Sequence, residues 1–115
     1  MSALNWCEIY IEGKATCKKI ADIVLDISKA DITYSDGFSR WDFKGDIASI
    51  SVERNDDYTP FRERTERDFL CFPFIIDAGQ LQEESKLEYE NLIRMIAKRL
   101  ESNGLRVSVI ADFNI

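Results

Sequence analysis

At 115 residues the chain has the length of one domain, and with 45% hydrophobic and 31% charged residues it has the composition of an ordinary soluble globular protein. Its 21 acidic residues outnumber 15 basic ones, giving a net charge of −6, and it contains no histidine. The acidity disfavours general nucleic-acid binding, because phosphates are repelled, and the missing histidine removes the commonest general base and metal ligand.

The elements follow in chain order. Trp6 to Glu12 alternates, with Cys7, Ile9 and Ile11 on one side and Trp6, Glu8, Tyr10 and Glu12 on the other, which predicts a half-buried strand ended by Gly13. Lys14 to Lys29 switches to helical spacing, with Cys17, Ile20, Ala21 and Val24 on one stripe. Asp31 to Tyr34 predicts a short strand, Ser35-Asp36-Gly37 a turn, Phe38 to Phe43 the return strand, and Lys44-Gly45-Asp46 a second turn. Ile47 to Arg54 is a third strand, with Ala48, Ile50 and Val52 on one face. The loops are too short for crossovers, so these three strands form an antiparallel meander.

Residues 55–67 are charged, contain Pro60 and follow neither period, which predicts an irregular loop. Phe69 to Ile76 is almost continuously apolar, the pattern of a strand buried on both faces. Pro73 opposes that reading, since proline cannot donate to a ladder. The two signals are reconciled by a bulge or an unpaired position at Pro73, or by an edge strand whose outer face meets a partner. Leu81 to Asn103 is the strongest helix, acidic in its first half and basic in its last turns, as the helix dipole favours, and stopped by Asn103-Gly104. Leu105 to Phe113 alternates again as a final strand.

The order strand, helix, strands, helix, strand predicts a single α+β domain over residues 1–115: a mainly antiparallel sheet of five to six strands with two helices on one face. The opening residues lack a basic stretch followed by an apolar run, and no apolar run spans a bilayer, so the expected address is the cytoplasm, away from membranes. Cys7, Cys17 and Cys71 are odd in number and widely spaced, which fits free thiols in a reducing compartment and no zinc site.

No catalytic kit emerges. There is no G-x-S-x-G, no phosphate-cradling glycine loop and no evident base beside a cysteine, so the chain reads as a non-enzyme without cofactor or metal. Asp56 and Asp57 could serve as a carboxylate pair only within a defined cleft. More informative are acidic residues beside aromatics on turns and strand ends: Asp36, Trp41, Asp42, Asp46, Glu53, Asp56, Asp57 and Tyr58. Aromatic anchors flanked by acids suit a surface for a basic protein partner, although Trp6, Tyr10 and Trp41 could equally cover the second face of the sheet beneath a loop.

The segment Glu53-Arg54-Asn55-Asp56-Asp57-Tyr58 closing a strand, followed by Phe69-Leu70-Cys71-Phe72-Pro73-Phe74, resembles the immunity proteins of bacterial contact-dependent and other polymorphic toxin systems, as do the chain's length, acidity and element order. The resemblance implies a stoichiometric inhibitor of a cognate toxin domain, often a basic nuclease. Two other readings stand beside it: a small ligand-binding or enzymatic domain using carboxylates, and a structural subunit that forms a homodimer through the Pro73 strand or the terminal strand.

Overall fold

A computed structural model of the chain describes residues 4–35, 40–54 and 73–113. The period-2 segments become strands β1 (Trp6–Glu12), β2 (Asp31–Ser35), β3 (Arg40–Lys44), β4 (Ala48–Arg54), β5 (Phe74–Gln80) and β6 (Arg106–Ala111). The period-3.6 segments become helices α1 (Cys17–Ser28) and α2 (Lys86–Ser102). The strands form one antiparallel sheet in the order β2-β3-β4-β5-β1-β6. The α+β class, the meander of β2 to β4 and the two-helix layer all match expectation.

Each helix has a local reason for its limits. Thr16 caps α1, its hydroxyl accepting from the Lys19 N–H at 3.1 Å. Lys29 closes that helix in the left-handed region (φ 52°), and its N–H donates to the Leu25 carbonyl at 2.8 Å. A 3₁₀ turn over Glu83–Ser85 leads into α2, so this helix starts later than the spacing of Leu81 suggests. The reason is that β5 runs on to Gln80, whose buried side chain donates to the Gln82 carbonyl at 2.7 Å and so shapes an extended connection.

Pro73 stands just ahead of β5, so the conflict between proline and a buried strand disappears. The strand runs on to Gln80, past the predicted end at Ile76, and Pro73 is left unpaired ahead of it, one of the two expected resolutions; residues 69–72 lie outside the described residues. The strand lies between β4 and β1, which also removes it as a dimerising edge; among the described residues the edges are β2 and β6. Residues 55–67, with the predicted loop, lie outside the described residues.

The core sits between the sheet and both helices. Ile9, Ile11, Ile50, Val52 and Ile76 from the sheet meet Ile20, Val24, Ile93, Ile96 and Leu100 from the helices, all buried. The two helices pack on one another and on this same side of the sheet. Tyr89 is fully enclosed there, and its hydroxyl donates to the Ala78 carbonyl at 2.8 Å. Phe113 meets its ring edge-on at 5.6 Å. At the end of β1, Gly13 has φ 143°, and a side-chain carbon there would stand 2.6 Å from Leu105 Cδ2, so glycine allows the close approach of the segment leading into β6.

Cys7 is buried and Cys17 partly so, and both are free thiols. Burial pushes the Cys7 thiol up to about 11, against a smaller opposing effect of the Tyr89 hydroxyl. Burial likewise raises Cys17. Cys7 is therefore a core residue, protonated at neutral pH and not activated as a nucleophile. Cys71 lies outside the described residues.

Candidate functional site

The side chains left over from the core define the opposite, open face of the sheet. Strand alternation puts Trp6, Glu8, Tyr10 and Glu12 of β1 there, with Ile75, Asp77 and Gly79 of β5, Ser49, Ser51 and Glu53 of β4, and Arg40, Asp42 and Lys44 of β3. The register then decides who meets whom. Glu8 stands opposite Asp77, Asp77 opposite Ser51, and Ser51 opposite Asp42. A line of three carboxylates thus crosses four neighbouring strands, with successive strands about 4.8 Å apart. Glu53 extends it, one inter-residue step along β4 from Val52 and on the same face as Ser51.

Toward the two sides of the sheet the charges alternate in sign across the strands. Glu12 stands opposite Arg106, and Asp31 opposite Lys44. At the centre they do not, since Glu8 and Asp77 are like charges directly opposed, an arrangement that disfavours the sheet. Burial raises the Asp77 carboxyl above its ordinary value, and the charges of Glu8 and Glu53 push it further, with Arg40 opposing them. Arg40 is engaged elsewhere, its Nε donating to Asp42 Oδ1 at 2.8 Å, and that bond together with the neighbouring acids raises its own pKa. Glu8 accepts from the Tyr10 hydroxyl at 2.7 Å. Asp77 makes no hydrogen bond or ion pair with another described residue.

A depression of about 360 Å³ opens beside this line. Gly79 forms part of its wall, and Trp6, Leu81, Ser49, Ser51, Glu8 and Asp77 surround it. A larger concavity of about 710 Å³ lies between the end of α1, the β3–β4 turn and α2. Its rim carries Lys29 and Lys44 as well as Asp31, Asp46 and Glu88, so its charges nearly cancel over an apolar floor that includes Ile47 and Leu92. With Arg40 also in its lining, the depression carries one net negative charge, as the larger concavity does; what sets it apart is the line of carboxylates that runs on beside it.

The structure divides the residues singled out from sequence. It brings Asp42 and Glu53 together on the open face. Asp46 is exposed on the turn after β3, at the rim of the other concavity, and does not join them. Trp41 is on the helix side of the sheet, paired in register with Val52 and Tyr34 and stacked on the Tyr34 ring at 4.2 Å. It therefore does not share a face with Trp6 and Tyr10, as the aromatic grouping expected, nor with Asp42 beside it. Asp36, Asp56, Asp57 and Tyr58 lie outside the described residues. Glu8, Asp77 and Arg40 were missed as site residues. The alternation of Ile76 and Ala78 around Asp77 was a usable signal for its outward direction, but nothing local pairs it with Glu8.

Among the described residues no group of three or more His, Cys, Asp or Glu side chains is placed to hold a metal ion, and no helix is long and apolar enough to cross a membrane. No protein-family model matches the chain, and neither a curated protein nor a solved structure matches it.

Proposed function

We propose that this chain is a stoichiometric inhibitor that docks the centre of its open sheet face on a basic protein domain, and that it acts as an immunity protein against a bacterial toxin. The observation that carries this reading is the line of Glu8, Asp77 and Asp42 with Glu53 beside it, where the nearest cation, Arg40, is already bound to Asp42. Carboxylates opposed across a sheet weaken the fold that holds them. An incoming array of lysines and arginines would relieve that repulsion and draw attraction from all of them at once.

A nuclease domain is the class of toxin this chemistry suits, because it carries a basic surface for phosphates. Covering that surface blocks substrate without any reaction by the inhibitor. Electrostatic steering would also speed the encounter, which matters for an inhibitor that must act before damage accumulates. The cytoplasm of the toxin-producing bacterium, or of a neighbour attacked by contact-dependent delivery, is where such protection is needed.

The product of the gene adjacent to this one, purified and titrated by surface plasmon resonance, tests the reading. We expect a tight one-to-one complex whose association rate falls steeply as salt rises. Asp42→Lys with Glu53→Lys should slow association by about tenfold or more while leaving the fold intact. A complex that forms at the same rate in low and high salt, or no complex with either neighbouring gene product, would overturn it.

A further inference from the structure

The depression at Gly79 has more structure than a generally acidic surface requires. Gly79 stands opposite Trp6 on β1 and Ser49 on β4. The direction in which its side chain would project meets nothing within 4 Å, so the missing side chain leaves open space. Trp6, 45% exposed, and Leu81, 40% exposed, supply apolar walls. Glu8 and Asp77 supply carboxylates, and Asp77 has no hydrogen bond or ion pair to a described residue. Ser51 lines the same depression, is only 5% exposed, and its hydroxyl makes no hydrogen bond with another described residue. A hydroxyl on a residue that is almost wholly buried and a half-buried carboxylate stand side by side in register on the wall of the depression, neither hydrogen-bonded to another described residue, and together they suit a ligand that donates hydrogen bonds.

We propose that this depression receives one arginine side chain of the basic protein partner. The inference rests on the docking reading above and names the contact at its centre. A guanidinium is flat, so it lies against the Trp6 indole while its edge donates to Asp77, Glu8 and the Ser51 hydroxyl together. A lysine ammonium offers a point charge on a flexible stem and cannot combine the stacked face with the forked edge. The aliphatic part of the arginine would run along Leu81. Arg40 also lines the depression, but its guanidinium is bound to Asp42, and Glu8, Asp77, Glu53 and Asp42 leave the surroundings net negative. In an interface this would be a buried Arg–Trp anchor of the kind that dominates affinity.

The test titrates N-acetyl-arginine amide into the full ¹⁵N-labelled chain, with N-acetyl-lysine amide and N-acetyl-norleucine amide as comparisons. We expect saturable shifts at the Gly79 and Ser51 amides and at the Trp6 indole N–H with the arginine probe, weaker ones with lysine and none with norleucine. Gly79→Val, which fills the depression with a residue suited to a strand, should abolish them. Asp77→Asn, nearly isosteric and therefore a safe second variant, should weaken binding by about tenfold. Absent saturable shifts, equal response to lysine, or unchanged binding in Asp77→Asn would each overturn the arginine site. The docking reading is decided separately by the salt dependence and by Asp42→Lys with Glu53→Lys, because neither residue lines the depression. A partner that binds Gly79→Val as tightly as the parent chain would retain the docking face and remove the arginine.

Discussion

Across β1, β5, β4 and β3, the row Cys7, Ala78, Ile50 and Phe43 faces the helices, and each of its members is at most 4% exposed. One residue along each of the same strands, the row Glu8, Asp77, Ser51 and Asp42 faces the other way. The backbone ladder is common to both rows, so the contrast isolates what side chains do. The first row is explained by folding, since every member adds apolar area to one core. The second is not, since it opposes like charges and leaves a half-buried carboxylate without a donor among the described residues. A face that costs the fold something, beside one that stabilises it, is where a partner's chemistry is best sought.

Three substitutions sharpen that contrast, from the largest effect to the smallest. Ile93→Ala, at a fully buried helix position over the sheet, should destabilise by about 2–5 kcal/mol through lost burial and a residual cavity. A shift of the urea midpoint at constant slope checks it, and a loss below about 1 kcal/mol would show that the helix-covered face is looser than its burial indicates. Tyr89→Phe removes the hydroxyl that donates to the Ala78 carbonyl and should cost about 1–2 kcal/mol by the same measurement.

Asp77→Asn should act in the opposite direction. Folding raises the Asp77 pKa, so the protonated carboxyl is the form that the fold favours. Its contribution to stability is fully present below the ordinary value of 3.8 and is lost as pH rises through the folded value. At neutral pH the charge is therefore a cost, and asparagine should raise Tm slightly, reflecting a stabilisation of less than about 1 kcal/mol because the group is half-exposed. The gain should vanish when the scan is repeated below pH 3.8. A lower Tm at neutral pH would mean that the open face is held together by Asp77, and the contrast between the faces would fail.

Much of the fold was legible because alternation and helical spacing are local. Cys7, Ile9 and Ile11 separate from Trp6, Glu8 and Tyr10 by period alone, whereas the start of α1 at Cys17, three residues later than the spacing from Lys14 predicts, is set by the Thr16 cap. Expectation and structure part where a single residue outweighs the period. Trp41 was grouped with other aromatics, although its phase matches Phe43 and places both toward the helices. Pro73 conflicts with a buried strand only if it must pair, and it stands unpaired immediately before β5. Leu81 was counted into the helix because it fits the spacing, whereas Gln80 and the continuation of β5 hold it outside.

The candidate site was legible only in fragments. Asp42 and Glu53 were chosen for their aromatic neighbours and do share a face, but for a different reason, namely their common phase on paired strands. Composition and periodicity by themselves determined the α+β class, the inward residues of most strands, the acidity and the absence of histidine. Tertiary structure alone decided that β5 enters between β4 and β1, and this single pairing sets Asp77 between Glu8 and Ser51 and opens the depression at Gly79. Periodicity reports which way a side chain points along its own strand, whereas strand order depends on which arrangement buries the apolar faces together, and that is settled by packing between segments far apart in sequence.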